Sequence, residues 1–289
     1  MVSFFDQIRI NKIKSVILIF LVIGVLIALG YTIALIYNPA FTLFFVLFAL
    51  VIAITESLYA YYNGDKLILK LVNAKPAKKP EHAHLINVVE GLSLAAGIPP
   101  PKVYVIKNPD INAFATGRDP KHASIAVTTG ALEKLNRMEL EGVIGHEIGH
   151  IKNYDIRFAT LVVILVGIIA IVSSIFLRSF WFGDRDRKAG AIVLIGLLFA
   201  ILAPIAAKLV QLAISRKREY LADAYSAKLT RYPEGLASAL EKIMKYNKGV
   251  LKVDDAVSSL FIANPKKKIA ELFSTHPPIE KRIAILRAM

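Results

Sequence analysis

Gly142-Val143-Ile144-Gly145-His146-Glu147-Ile148-Gly149-His150-Ile151 is the stretch on which the reading of this chain turns. It holds no proline and follows Asn136, an N-cap residue type, so it reads as the interior of a helix starting near Arg137. Helical residues four apart share a face, with about 6 Å of rise between them. The imidazoles of His146 and His150 can therefore converge on one tetrahedral ion. Glu147, next to the first histidine, can reach a water on that ion and act as general base. Glycine costs about 1 kcal/mol against alanine inside a helix. Gly145 and Gly149, set among Val143, Ile144, Ile148 and Ile151, therefore predict close packing against another element. A solvated histidine pair on an exposed face would need neither glycine.

A catalytic zinc site needs a third protein ligand and an open position for water. The chain has no cysteine, which excludes a thiolate ligand, a cysteine nucleophile and a disulfide-stapled secreted scaffold. No third histidine follows at short spacing, so a carboxylate is expected. Glu219, in Arg218-Glu219-Tyr220-Leu221-Ala222-Asp223, is the best candidate. Asp223, one helical turn further on, can accept a hydrogen bond from a ligand imidazole. Asp155 could orient a ligand or cap a helix. His82, His84 and His122 read as solvated.

Working outward, the composition requires a second environment. The chain has 289 residues, 55% of them hydrophobic, with a formal net charge of +14 and a mean hydropathy of +0.54. Residues 15–55 hold no charge, enough for two helical crossings of about 20 residues each. Tyr37-Asn38-Pro39 divides this run into spans near 16–37 and 40–62. Two further runs, 158–177 and 189–214, bring the expected number of transmembrane helices to four. Pro204 and Lys208 interrupt the last, which leaves open whether the second hairpin fully crosses. Arg9, Lys12 and Lys14 precede the first run as in a signal peptide, but the run is too long and lacks a small-residue cleavage site, so a retained anchor is expected.

With paired crossings, the N-terminal tail and residues 63–157 and 215–289 share one side, and together they carry 31 of the 36 basic residues. By the positive-inside rule that side is the cytoplasm. Arg178, Arg185, Arg187 and Lys188 in the opposite loop run against the rule. The basic clusters near the spans suit anionic headgroups of a lipid bilayer. Basic residues spread through both polar blocks argue against a nucleic-acid partner.

The expected organisation is an N-terminal tail and hairpin at 1–62, a first polar block at 63–157, a second hairpin at 158–214 and a helical block at 215–289. In the first block, residues 81–96 read as a helix ended by Gly97. Lys102-Val103-Tyr104-Val105-Ile106 alternates as a strand, and 113–117 and 124–128 read as two short strands. The second block predicts helices at 216–229, from Pro233 to about residue 246, and from about Pro278. The fold class is α+β, mainly helical.

Four stretches together resemble the HtpX family of membrane-bound zinc endopeptidases, gluzincins related to the CAAX prenyl endoproteases. They are Asn112-Ala113-Phe114-Ala115-Thr116-Gly117, His146 to His150 followed by Asn153 and Asp155, Glu219 to Asp223, and Ser274-Thr275-His276-Pro277-Pro278 before Lys281-Arg282-Ile283. The resemblance spans nearly the whole chain. It implies a zincin-like cytoplasmic metallopeptidase domain with one zinc ion per chain on His146, His150 and Glu219, and Glu147 as base. It also implies that Asn112, Ala113 and Phe114 form the strand edge on which a substrate peptide is laid. His276 and Arg282 are candidates to stabilise the tetrahedral intermediate, although His276, before two prolines, could instead only fix a turn.

The expected activity is hydrolysis of peptide bonds in misfolded or damaged membrane proteins at a multi-pass cell-membrane enzyme, with polypeptide substrates in unfolded or looped form. A processing protease for one defined CAAX-like substrate is the alternative within the same chemistry. A non-catalytic membrane scaffold with a structural zinc would dispense with Glu147, which is present.

Overall fold

The protein is described by a computed structural model covering residues 4–37, 39–181, 215–250, 255–263 and 277–289. It is a mainly helical α+β fold. The described helices are α1 (Phe4–Tyr37), α2 (Thr42–Leu71), α3 (Ala83–Ala96), α4 (Thr129–Lys134), α5 (Arg137–Lys152), α6 (Asp155–Trp181), α7 (Arg216–Thr230), α8 (Pro233–Tyr246), α9 (Asp255–Ser258) and α10 (Ile279–Arg287). The strands are β1 (Lys75–Pro76), β2 (Lys102–Ile106), β3 (Ala113–Gly117) and β4 (Ala123–Thr128).

Local chemistry sets the boundaries. Gly97 ends α3 in the left-handed region at φ 68°, where a side chain would be strained. Asn136 caps α5 by a reciprocal pair of bonds: its side chain accepts from the Glu139 N–H, and the Glu139 carboxylate accepts from the Asn136 N–H. This capping box starts the helix that carries both histidines. Helix α2 continues past the expected span end at residue 62 to Leu71.

The four strands form one sheet in the order β1-β2-β4-β3, with β2 and β4 parallel and the outer pairs antiparallel. Alternation along β3 and β4 splits two cores. Ala113, Ala115, Ile125 and Val127 pack with α3, α5, α8 and α10, whereas Phe114 and Ala126 pack with α1, α2 and α6. The two polar blocks therefore share one core, and the opposite sheet face rests on the long apolar helices.

Among the described residues, two segments are long and apolar enough to cross a membrane, Ile8–Tyr31 and Pro39–Leu71. Their outer faces expose Val16, Ile17, Phe20, Leu43, Phe44, Phe48 and Val51, which is costly in water. The third expected span, 158–177, lies within α6. The fourth, 189–214, lies outside the described residues.

Candidate metal centre

Helix α5 brings His146 and His150 to one point, and the first turn of α7 brings Glu219 to meet them. The approach depends on a glycine stripe on α5. A Cβ at Gly142 would lie 2.5 Å from the Leu236 nitrogen, one at Gly145 2.9 Å from Ser226 Oγ, and one at Gly149 3.3 Å from the Ala222 Cα. Ser226 Oγ fastens the contact by donating to the Gly142 carbonyl at 2.6 Å. The close packing that Gly145 and Gly149 predict is thus with α7, the helix that carries Glu219.

The donor atoms are spaced for one ion. His146 Nε2 and His150 Nε2 are 3.2 Å apart, His146 Nε2 is 3.7 Å from Glu219 Oε2, and His150 Nε2 is 3.4 Å from Glu219 Oε1. A tetrahedron with bonds of ~2.0–2.1 Å has edges of about 3.3–3.4 Å, and the two nitrogens and the Glu219 carboxylate, which faces them with different oxygens, stand at spacings close to that. The other ring nitrogens are taken: His146 Nδ1 is 2.9 Å from Asp223 Oδ1, and His150 Nδ1 is 3.0 Å from Asp155 Oδ2. A carboxylate on Nδ1 holds the proton there and turns the Nε2 lone pair towards the centre. Among the described residues, this is the one cluster of three such donors.

Glu147 is buried, and its carboxylate faces the Ala115 backbone N–H without a well-formed hydrogen bond to either oxygen. Orphaned buried acceptors are costly, and here they fit a site built to receive further groups. Burial pushes the Glu147 carboxyl up to about 7, opposed by the charge of His150 and reinforced by that of Glu219. Burial also lowers the pKa of the His146 imidazole. For His150, burial is outweighed by the hydrogen bond to Asp155 and the charge of Glu219, which together raise it to about 9. For Asp223, burial is outweighed by Arg282 and His146, which hold it well below the usual carboxylate range.

A model of peptidase family M48 matches residues 79–289. The chain belongs to peptidase family M48. It is 47% identical over 290 residues to a protease HtpX homolog from Dictyoglomus thermophilum, covering 99% of this chain and 95% of that protein. A protease HtpX homolog from Streptococcus pyogenes serotype M28 is 42% identical over 297 residues, covering 99% of each. The fold is similar to that in the crystal structure of S. mikatae Ste24p, with a TM-score of 0.53 and 22% identity over 97% of this chain and 66% of that one. Membership of M48 makes the chain a metalloprotease, and the His146–His150–Glu219 cluster is where its residues can hold the metal.

In this M48 protease the remaining expected residues are distributed unequally. Arg282 is fully buried. Its Nε and Nη2 donate to Asp223 at 2.9 and 2.6 Å, its Nη1 donates to the Ile262 carbonyl at 3.0 Å, and Nη1 lies 3.9 Å from Glu219 Oε2. Expected as a donor to the intermediate, it is held in this structure by its two bonds to Asp223. His276 lies outside the described residues. Asn112 is buried, its amide donating to the Ala263 carbonyl. Phe114 is buried against Phe261, ring centroids 4.9 Å apart, and the Ala113 carbonyl accepts from the Ile262 N–H. Ala115 of the same strand lines a cavity of ≈ 40 Å³ with Glu147, His150, Glu219, Arg218 and Leu260. Sequence reasoning missed Ala115 and Arg218, since a lone alanine and one arginine in a basic run carry no pattern. It also missed Asn11, which donates to Asp155.

Proposed function

We propose that this M48 protease is a zinc endopeptidase embedded in the cell membrane by four spans, with its active site on the cytoplasmic side, acting on unfolded or damaged membrane proteins. The observation that carries the reading is the gathering of three donor groups at the spacing of one tetrahedral ion beside the buried Glu147. Two neutral imidazoles and one carboxylate suit zinc. Zinc bound there would supply a Lewis acid and an activated water near neutral pH.

The chain's own residues perform the remaining steps. Asp223 and Asp155 hold protons on the Nδ1 atoms, so that both Nε2 atoms stay available. Glu147, with a pKa raised to about 7, accepts a proton from the attacking water and returns it to the amine nitrogen as the peptide bond breaks. An extended substrate is laid beside β3 at Ala115, which shares the cavity with Glu147; the Ala113 carbonyl further along that edge already accepts from the Ile262 N–H, so main-chain pairing is confined to the Ala115 end. Such pairing requires an unfolded segment. The apolar outer faces of α1 and α2 support the membrane assignment, and the 31 basic residues on one side support its orientation.

The test uses the full chain in detergent with an unfolded protein as substrate. Cleavage that stops with a zinc chelator and returns with zinc, and that is lost in Glu147→Gln while zinc is retained, is the expected result. Undiminished cleavage by Glu147→Gln would refute the mechanism.

A further inference from the structure

Helix α1 carries a polar side chain that an anchor does not need. Asn11 is 2% exposed and lies within the first apolar segment, Ile8–Tyr31. A buried amide is costly unless its hydrogen bonds are made. Its Nδ2 makes two, to Asp155 Oδ1 at 2.7 Å and to the Asn153 carbonyl at 3.0 Å. Asp155, itself 5% exposed, uses its other oxygen, Oδ2, to hold His150 Nδ1 at 3.0 Å.

The three residues form a chain across 144 positions of sequence: membrane helix, carboxylate, metal ligand. A carboxylate that holds an imidazole by one oxygen can still turn about its Cβ–Cγ bond. A donor on the second oxygen removes that freedom and fixes the plane in which His150 is held. The second bond fixes the corner between α5 and α6, because Asn153 is the C-cap of α5 and Tyr154 after it takes the left-handed region at φ 60°. Lys12 adds to the same corner, its Nζ lying 4.5 Å from the centroid of the Tyr154 ring. Arg218 Nη1, 3.6 Å from Asp155 Oδ1, neutralises the carboxylate but lies beyond hydrogen-bond distance, so it does not replace the amide in setting direction.

We infer that Asn11 is a positioning residue of the metal centre: through Asp155 it sets the orientation of His150, so the first membrane helix is part of the zinc site. The inference rests on the reading of His146, His150 and Glu219 as the zinc ligands. Loss of a carboxylate that directly orients a ligand imidazole weakens metal binding by about 10–100-fold. Asn11 acts one bond further out, and an effect of about 3–10-fold is expected.

The experiment measures zinc affinity by competition with a chromophoric chelator, using the full chain in detergent, together with kcat and KM at saturating zinc. Asn11→Leu removes the donors at nearly constant shape. It is expected to weaken zinc binding about 3–10-fold and to lower kcat with KM unchanged. Asn11→Gln, which keeps an amide, is expected to recover most of the loss. Leu18→Ala, which loosens the same buried face of α1 without touching Asp155, is expected to leave zinc affinity within about twofold of the parent. Unchanged affinity in Asn11→Leu, or an equal fall in Leu18→Ala, would overturn the inference. If Asn11→Leu does not fold, Asn11→Ala takes its place, because it removes the donors without adding bulk or charge, and it is expected to bind zinc more weakly than the parent. A parent protein that binds no zinc at all would instead refute the reading of the site.

Discussion

Adding zinc to the metal-free protein tests the electrostatics of the site, because coordination competes with protons. His150 in the metal-free state has a pKa raised to about 9, so at pH 7 roughly 99% of it carries the Nε2 proton that the metal must displace. Glu147, at about 7, is roughly half protonated at that pH, and a cation beside it holds the carboxylate ionised. His146, whose pKa is lowered by burial, is already neutral. Zinc binding at pH 7 should therefore release about 1.5 protons. Apparent affinity should rise about tenfold per pH unit from 7 to 9 and then level off. Calorimetric titration in two buffers of different ionisation enthalpy counts the protons, and the chelator competition above follows the affinity. Asp155→Asn removes the charge beside His150 and should reduce the release. Zero release at pH 7, with flat affinity from 7 to 9, would refute the protonated His150 and the arrangement of Asp155 and Glu219 that produces it.

The same shifts predict the stability of the metal-free protein. His150 and Glu147 are both raised, so their contributions are fully present below about 6.5 and 4.5, the unfolded values, and are lost as pH rises through about 9 and about 7. The metal-free melting temperature should fall across that window. Zinc at a thousandfold excess over its dissociation constant should add about 4 kcal/mol, and a chelator should remove it, as thermal melts would show. Gly142→Ala places a Cβ 2.5 Å from the Leu236 nitrogen and should cost about 1–2 kcal/mol after about 1 kcal/mol of helix propensity is regained. Gly149→Ala, whose nearest contacts are 3.3 Å, should be within about 1 kcal/mol of neutral in denaturant titration. Asp223→Ala strands the buried Arg282 guanidinium and should destabilise the fold by about 3–5 kcal/mol, with a zinc affinity about 10–100-fold weaker by chelator competition.

Much of this molecule was legible because its signals are local or periodic. The i, i+4 pair of His146 and His150, the capping residue Asn136, the stop at Gly97 and the alternation of Lys102–Ile106 each depend on neighbours a few positions away, and each element stands where those signals place it. Glu219 was reachable because the absence of cysteine narrowed the choice and a membrane hairpin would return α7 to α5. The two-residue strand β1 and the four-residue helix α9 were not legible, since both are too short to carry periodicity. Ala113 and Phe114 were expected as an open edge. In the structure the chain's own Ile262 and Phe261 meet them, a long-range pairing that no local pattern announces.

By itself the sequence determined the types of the candidate ligands, the helix that presents two of them, and the apolar segments beside it. Those properties follow from side-chain chemistry and from periods of 3.6 and 2 residues. Only the tertiary structure decided what stands beside each candidate ligand: Arg282 bonded to Asp223, and Asn11 of α1 reaching Asp155. Those pairings join residues 59 and 144 positions apart. They exist because packing across two cores brings the groups within hydrogen-bond distance, and buried polar atoms must find partners wherever the fold puts them.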